Sequence, residues 1–463
     1  MRRRTLAVCG LVAATACTRP EVRPPAPKPA MAPAAREATA PKSDPAADAV
    51  VAEALALVSR VRELPVRAEV PGVRLDRREL QSAVEEMLAS EAPAELVEGN
   101  TELLFALDTV PANFDLKATL TILYGAQLAG FYDPDKKRMV LAADLGEDAE
   151  ELTLYHELVH ALQDQHYDLG RALDWRPDQS DALAALHCLG EGDATSSMLD
   201  VFARAKGMTA GRVPPDLLHL DALLMQASPD LKSVPGIITR SLIAPYADGL
   251  VFVNALRERF PSFTGVDRAW RDRPVSTEQI LHPDKYLARE PVVPIAEIPP
   301  PPGFGAAVFR DVLGEQSLRL LFEEWMPTRR AAESASDWGG DRFAIFREGD
   351  RRVVRWHLAF DTEPAAERAL IALARGALRP ELPPISASGE NLRPMIDLET
   401  AERAARGGTV CQERPQRGAI AMVRHGRHVG VTLGPYLRER TSVRSAGNCP
   451  DALRLAHDLA KPR

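Results

Sequence analysis

The spacing of apolar residues predicts that the first half of the chain is mostly helical. Apolar positions recur every three or four residues in several segments, as they do on the buried face of a helix. Asp76 and Glu79 form a capping-box pattern at the start of one segment, and Pro93 suits the first position of another. The predicted helices cover residues 50–61, 76–90, 93–107, 114–123, 148–165, 180–205 and 245–256.

A change of pattern between residues 127 and 141 predicts a β-hairpin. Two apolar runs, 127–132 and 138–141, flank the turn-rich residues 133–137 (DPDKK). Residues 67–75 also favour an extended segment. The hairpin directly precedes the predicted helix 148–165, so a strand edge is expected beside that helix. Such an edge can bind an extended peptide, and the alternative is a hairpin with a purely structural role.

The second half of the chain predicts a small module of mixed structure. Apolar spacing favours a helix over 308–322, and residues 338–341 (WGGD) favour a turn. Pairs of apolar runs around the turn residues 348–350 and 425–427 predict two hairpins. Two more helices are predicted at 363–378 and 450–459. The expected fold class is therefore α+β and mainly helical.

The first 17 residues predict export from the cytoplasm. A cluster of three arginines precedes the apolar residues 5–16, which are too few for a permanent membrane span. The sequence ATAC (residues 14–17) resembles a bacterial lipobox, in which Cys17 is lipidated and becomes the new N-terminus. Thr18 differs from the aspartate associated with inner-membrane retention, so an outer membrane, where present, is the expected location. The alternative is an ordinary signal peptide and a secreted protein.

The proline pattern divides the rest of the chain. Residues 18–47 are rich in Pro and Ala and predict an extended tether, and 294–303 contain four consecutive prolines that predict a stiff linker. We therefore expect two folded units, one over 48–293 and an α+β module over 304–463.

Composition excludes some functions and leaves others open. The chain has 463 residues, of which 45% are hydrophobic, so it can bury a large core. Its net charge of −8 is spread without a basic block, which argues against nucleic acid as a partner. With five cysteines, disulfides do not build the fold, although Cys411 and Cys449 flank the second hairpin and can bridge in an oxidising compartment. Cys188 is expected to pack as a small hydrophobe.

A His-Glu-x-x-His sequence carries the candidate chemistry. On a helix, His156 and His160 differ by about 40° in direction and about 6 Å in height, so both imidazoles can face one ion. Glu157 then lies where it can take a proton from a water beside that ion, as zinc peptidases require. The pattern predicts one Zn²⁺ with His156 and His160 as ligands.

A catalytic zinc site needs a third protein ligand, and three candidates follow the motif. His166 has the spacing of the metzincin pattern, but Gln163 stands where that pattern has a chain-turning glycine. Glu191 lies on the predicted helix 180–205, which can cross the first helix and present its carboxylate, as in gluzincins. His187 shares a helix face with Glu191.

Four segments together resemble a known group of proteins. They are HELVHALQDQ (156–165), EGDA (191–194), AGFYDP (129–134) and STEQILHP (276–283). In this combination the chain resembles a largely uncharacterised group of gluzincin-like bacterial metallopeptidases that are secreted or lipid-anchored, and the resemblance covers about 75–293. It implies His156, His160 and Glu191 as zinc ligands and Glu157 as the base.

Supporting roles are expected for several polar residues. A peptidase needs a hydrogen-bond donor for the oxyanion of the reaction, and Tyr246, His282 and Tyr286 are the available types, with His282 favoured because it lies in a loop. Asp164, at i+4 from His160, or Asp193 is expected to accept the outer N–H of a ligand histidine.

Together these patterns predict a zincin-like metallopeptidase domain over 48–293. The protein is then a zinc-dependent peptidase that cleaves a peptide or protein substrate outside the cytoplasm and is tethered to a membrane by its N-terminal lipid. One alternative is a non-catalytic envelope lipoprotein that keeps a zincin-like fold as a scaffold or binding protein. The other is a structural zinc site, which needs a fourth protein ligand such as His187.

Overall fold

The computed structural model describes residues 44–461 except 92, 128, 206, 208–233, 383–392, 440 and 441. The predicted signal peptide, Cys17 and nearly all of the predicted tether lie outside the described residues. Helix α1 already begins at Pro45. The helices of the first half are α1 (Pro45–Arg62), α2 (Arg77–Glu91), α3 (Ala94–Ala106), α4 (Leu116–Gln127), α5 (Glu147–Tyr167), α6 (Leu169–Ala172), α7 (Ser180–Ala205), α8 (Gly236–Arg259), α9 (Thr264–Arg271), α10 (Thr277–Leu281) and α11 (Pro283–Ala288).

A three-stranded sheet precedes α5. It consists of β1 (Gly72–Leu75), β2 (Gly130–Asp133) and β3 (Arg138–Ala142), in the order β1-β3-β2. Strands β2 and β3 form the predicted hairpin, and β1 pairs with β3 in parallel. Among the described residues, β2 is therefore an edge strand, and it packs against α5.

Helices α5, α7 and α8 form the frame around the candidate site. Helix α8 crosses α7 at very close range, since a Cβ atom on Gly192 would lie 2.1 Å from the carbonyl carbon of Gly249. Two facing glycines thus let the two backbones touch. Among the described residues, α8 is also the one helix long and apolar enough to span a membrane, but 67% of its most apolar window is buried, as in a core helix of a soluble protein.

The second half contains a seven-stranded antiparallel sheet between helices. Its strands are β4 (Ala307–Asp311), β5 (Trp338–Glu348), β6 (Arg351–Phe360), β7 (Thr409–Arg414), β8 (Gly418–His425), β9 (His428–Arg438) and β10 (Val443–Ser445). The order is β4-β5-β6-β9-β8-β7, and β10 pairs with β9. The helices are α12 (Gly314–Phe322), α13 (Thr328–Ala335), α14 (Glu363–Leu378), α15 (Leu398–Ala405) and α16 (Cys449–Ala460).

The two faces of this sheet are covered differently. Apolar residues of α14 pack on one face in the main core, while the alanines of α16 pack on the small residues of β8 on the other. A disulfide joins Cys411 of β7 to Cys449 at the start of α16, so the pair named from the sequence is bridged in the structure. The α+β fold class is confirmed.

Two local predictions in this half are wrong. Residues 308–322 were predicted as one helix, but β4 ends at Asp311 and α12 begins at Gly314, whose φ of 78° breaks the chain direction between them. Residues 338–341 do not form a turn but begin β5. There, the buried Asp341 carboxylate accepts hydrogen bonds from the indoles of Trp338 and Trp356, which fixes both rings.

The two halves of the chain share their interior. The largest hydrophobic core combines Phe105 of α3 and Ile238 of α8 with Trp356 of β6. The proline segment 294–303 is also held, because Arg355 of β6 donates a hydrogen bond of 2.7 Å to the Pro299 carbonyl. Residues 304–463 therefore pack against the first half through a continuous core.

Candidate metal centre

Helix α5 presents the two histidines of the motif on one face. Leu158 and Leu162 lie in a core with Val58 of α1 and Leu141 of β3, and this packing fixes the rotation of the helix. His156 and His160 then point towards α7, with 7% and 2% of their surfaces exposed. The helical spacing brings the two Nε2 atoms to 3.2 Å from each other.

Glu191 of α7 completes a triangle of ligand atoms. Its Oε2 lies 3.0 Å from His156 Nε2 and 3.6 Å from His160 Nε2. Donor atoms that bind a tetrahedral zinc at about 2.0–2.1 Å are about 3.3 Å apart, so the three measured separations fit such an ion. The three residues are buried and form a group with metal-ligand geometry. The crossing of α5 and α7 thus assembles the ligand set.

The outer oxygen of Glu191 has its own partner. His187 Nε2, one turn earlier on α7, lies 3.1 Å from Glu191 Oε1. The pKa of Glu191 lies well below its usual value, so the carboxylate is ionised. Burial on its own would raise this pKa, but the charges and hydrogen bonds of the surrounding histidines outweigh that effect. His187 therefore holds Glu191 with Oε2 turned towards the other two ligand atoms.

Gln163 orients His160. Its Nε2 donates hydrogen bonds of 3.0 Å to the Gly190 carbonyl and 3.2 Å to Asp193 Oδ2, which are both acceptors. Its Oε1 must therefore be the atom 2.8 Å from His160 Nδ1, which makes Nδ1 the protonated nitrogen. Nε2 of His160 is then left with its lone pair facing the ligand group.

Asp193 supports this arrangement from one layer further out. It accepts hydrogen bonds from Arg62 Nε at 2.5 Å and from the Trp270 indole at 2.9 Å. Arg62 comes from α1 and is fully buried, and its Nη2 also contacts Asp267. Asp193 thus acts on His160 through the Gln163 amide, whereas the sequence had suggested direct contact with a histidine.

Glu157 is held by the edge strand. The backbone N–H of Tyr132 in β2 donates a 3.0 Å hydrogen bond to Glu157 Oε2. Burial raises the pKa of Glu157, although His160 and His156 oppose the rise. The carboxylate is therefore a stronger base than an exposed glutamate, and it lies next to the ligand histidines on the same helix.

Asp164 does not reach the histidines. It accepts hydrogen bonds from the Tyr132 hydroxyl at 2.8 Å, from the Lys137 ammonium and from Gly170 N–H. Its short side chain faces the β2-β3 hairpin, while the longer Gln163 reaches round to His160. The expectation that Asp164 fixes a ligand histidine is therefore corrected, and its role is to fasten the hairpin to α5.

The three candidate oxyanion donors have separate positions. Tyr246 of α8 stacks on His156, with ring centroids 5.6 Å apart, and so lies beside the ligand group. His282 instead pairs with Glu315 of α12 at 2.8 Å, and the hydroxyl of Tyr286 donates to the Asp272 carbonyl. Of the three, the structure brings Tyr246 to the ligand group, whereas the sequence favoured His282.

His166, named from the sequence, and a second acidic cluster found in the structure both have structural roles. His166 Nε2 lies 2.8 Å from the Pro65 carbonyl, away from the ligand group. A second cluster with metal-like spacing contains Glu278, Glu290 and Asp361, but the Lys285 ammonium contacts all three within 2.9 Å. The ammonium already supplies the positive charge between the three carboxylates, so that cluster is an ion-pair network and not a metal site.

Comparison with known proteins gives little guidance on the site. Residues 303–444 match a family model described as Domain of unknown function (DUF8575). The match lies C-terminal to the ligand group and includes α12. Neither a curated protein nor a solved structure matches the chain.

Proposed function

We propose that this protein is a zinc-dependent peptidase with a zincin-like core. The observation that carries the proposal is the convergence of His156 Nε2, His160 Nε2 and Glu191 Oε2 within 3.6 Å of one another, next to the buried carboxylate of Glu157. The gluzincin-like resemblance of the sequence supports the same assignment. Three protein ligands leave one tetrahedral position for water or substrate, which is typical of catalytic zinc sites.

The residues around the site would divide the chemistry as follows. A bound zinc would act as a Lewis acid and lower the pKa of a coordinated water. Glu157, with its raised pKa, would accept the water's proton and pass it to the leaving amine. Tyr246 would offer its hydroxyl to the oxyanion, which replaces our sequence-based choice of His282.

The position of β2 supports a peptide substrate. This edge strand lies against α5, and the Tyr132 N–H that holds Glu157 belongs to it. An extended peptide that adds to a strand edge gains backbone hydrogen bonds without regard to its side chains. We therefore propose an extended segment of a peptide or protein as the substrate.

The proposed location is outside the cytoplasm, on a membrane-anchored tether. The arginine-rich start, the apolar segment and the lipobox-like Cys17 are the sequence features behind it. The Cys411–Cys449 disulfide supports the proposal, since structural disulfides persist in oxidising compartments.

One observation favours a second candidate function, a non-catalytic scaffold. His156, Glu157, His160 and Glu191 are only 7%, 3%, 2% and 0% exposed. A metal in such a closed position can stabilise the crossing of α5 and α7 without reaching a substrate.

The test measures zinc content and cleavage of a peptide library by the wild-type chain and by Glu157→Gln. We expect about one zinc per chain in both proteins, and a loss of cleavage of about 10²-fold or more in the variant. His166→Asn is the matched control, because His166 lies on the same helix outside the ligand group. Zinc-loaded wild type with no more activity than Glu157→Gln would reject the peptidase in favour of the scaffold.

A further inference from the structure

Helix α12 of the second half binds α8 through hydrogen bonds to one carboxylate, that of Asp248. Arg319 donates two hydrogen bonds to Asp248, of 3.0 Å to Oδ1 and 2.6 Å to Oδ2. Gln316 Nε2 donates a third, of 2.6 Å, to Asp248 Oδ2. The Asp248 side chain is only 7% exposed, so this clamp lies inside the protein.

The clamp lies next to the closest contact between α7 and α8. Gly249 follows Asp248, and a Cβ atom on it would lie 1.9 Å from the Cys188 carbonyl oxygen. Gly192, the residue after Glu191, is the glycine that faces it. Gln316 Nε2 also lies 3.3 Å from Cys188 Sγ, so α12 touches both helices at their crossing. Any shift of α8 at Asp248 therefore moves the backbone beside Glu191.

Helix α8 also touches the other ligand-bearing helix. Tyr246, two residues before Asp248, stacks on His156 of α5 with an interplanar angle of 26°. The same short segment of α8 thus contacts Gly192, next to Glu191, on one side and the ligand histidine His156 on the other. The position of this segment therefore sets the distance between Glu191 and His156.

We infer that Arg319 and Gln316 are positioning residues for the metal centre, which they hold in shape through Asp248. The inference rests on the proposed metal site and extends it, because it makes the second half of the chain part of the frame of that site. Neither residue touches the ligand atoms, and both act through α8.

Replacing Arg319 should loosen α8 without removing a ligand. In Arg319→Met, Asp248 keeps the Gln316 hydrogen bond but loses its buried counter-charge, and we expect α8 to relax towards solvent. Changes to residues that orient metal ligands typically lower metal affinity by about 10–100-fold, and we expect a loss in this range. Arg329→Met is the matched control, since Arg329 forms an exposed pair with Glu333 on the next helix, α13.

The first measurement uses the metal-free chain. Amide hydrogen exchange of residues 186–194 should speed up by about tenfold or more in Arg319→Met and stay at the wild-type rate in Arg329→Met. Unchanged exchange in Arg319→Met overturns the inference, whether or not the wild type binds zinc. The zinc content of the wild type separately tests the proposed function.

The second measurement separates positioning from general stability. In Asp248→Asn/Arg319→Met both buried charges are gone, so thermal stability should recover relative to Arg319→Met. Zinc affinity and the visible spectrum of bound Co²⁺, which reports ligand geometry, should remain altered because both Arg319 hydrogen bonds to residue 248 are still missing. Zinc affinity that recovers together with stability assigns Arg319 a structural role only and rejects the inference.

Discussion

Gln163 offers the sharpest test of how the site is held. Its amide is fully buried and makes three hydrogen bonds, of 2.8 Å to His160, 3.0 Å to Gly190 and 3.2 Å to Asp193. In Gln163→Leu, the N–H of His160 Nδ1 is left buried without an acceptor, whereas the Gly190 carbonyl keeps its hydrogen bond within α7. An unsatisfied buried donor costs about 1–3 kcal/mol. The variant should therefore be less stable, and His160 is no longer fixed in the tautomer that points its lone pair at the metal.

The effect on zinc can be separated from the effect on stability. Loss of an outer partner of a ligand histidine lowers metal affinity by about 10–100-fold. That corresponds to about 1.4–2.8 kcal/mol of binding free energy. Competition with a chromophoric chelator at neutral pH measures the zinc dissociation constant directly, and denaturant unfolding of the metal-free chain measures stability.

A matched control lies two residues further along α5. Gln165 also makes three hydrogen bonds, to Arg67 N–H, Ala68 N–H and the Ala68 carbonyl, but none reaches the ligand group. Gln165→Leu should keep wild-type zinc affinity. The reasoning about tautomer control is refuted if Gln163→Leu binds zinc within twofold of wild type, or if both variants lose affinity equally.

Two further predictions concern the frame of the site. Asp181 is buried in the first turn of α7, and burial raises its pKa to about 7, above its usual 3.8. Its contribution to stability is therefore full below about pH 4 and is lost as pH rises through about 7. Asp181→Asn should remove this pH dependence. The free energy of unfolding, measured with denaturant between about pH 4 and 7, would contradict the prediction if it changed with pH equally in wild type and variant. Gly249→Ala would bring a Cβ to 1.9 Å from the Cys188 oxygen and should cost about 1–3 kcal/mol or more of unfolding free energy. Gly146→Ala, with no heavy atom within 4 Å of the added Cβ, is its control, and equal stability of the two variants would exclude overpacking.

The sequence predicted those parts of the fold that depend on local spacing. The helix from Ser180 to Ala205 was predicted with its observed bounds, and the capping box of Asp76 and Glu79 forms both of its hydrogen bonds. The error over residues 308–322 has a local cause, because a short apolar run before a helix carries no signal that distinguishes strand from helix. Gly314 was the available sign of a break.

The sequence predicted the three candidate metal ligands, because helical spacing and a second crossing helix were enough to place them. His156, His160 and Glu191 converge in the structure, but the residues that hold them were harder to name. Gln163 at i+3 and Asp164 at i+4 are equally placed relative to His160 by sequence, and only the packing of the hairpin decides which one turns towards it. The partners Arg62 and Asp193 are 131 residues apart, so no spacing rule could have joined them.

The clamp on Asp248 has a consequence for how such chains evolve. Arg319 and Gln316 lie inside the segment that matches the family model, whereas Asp248 lies outside it. The Arg319 side chain is 13% exposed, and a largely buried guanidinium without its carboxylate is destabilising. A shuffled gene that moved residues 303–444 onto an unrelated partner would therefore carry an unmatched charge. In natural relatives that keep both halves, we expect the positions of Asp248 and Arg319 to covary. The two halves should then be inherited as one unit.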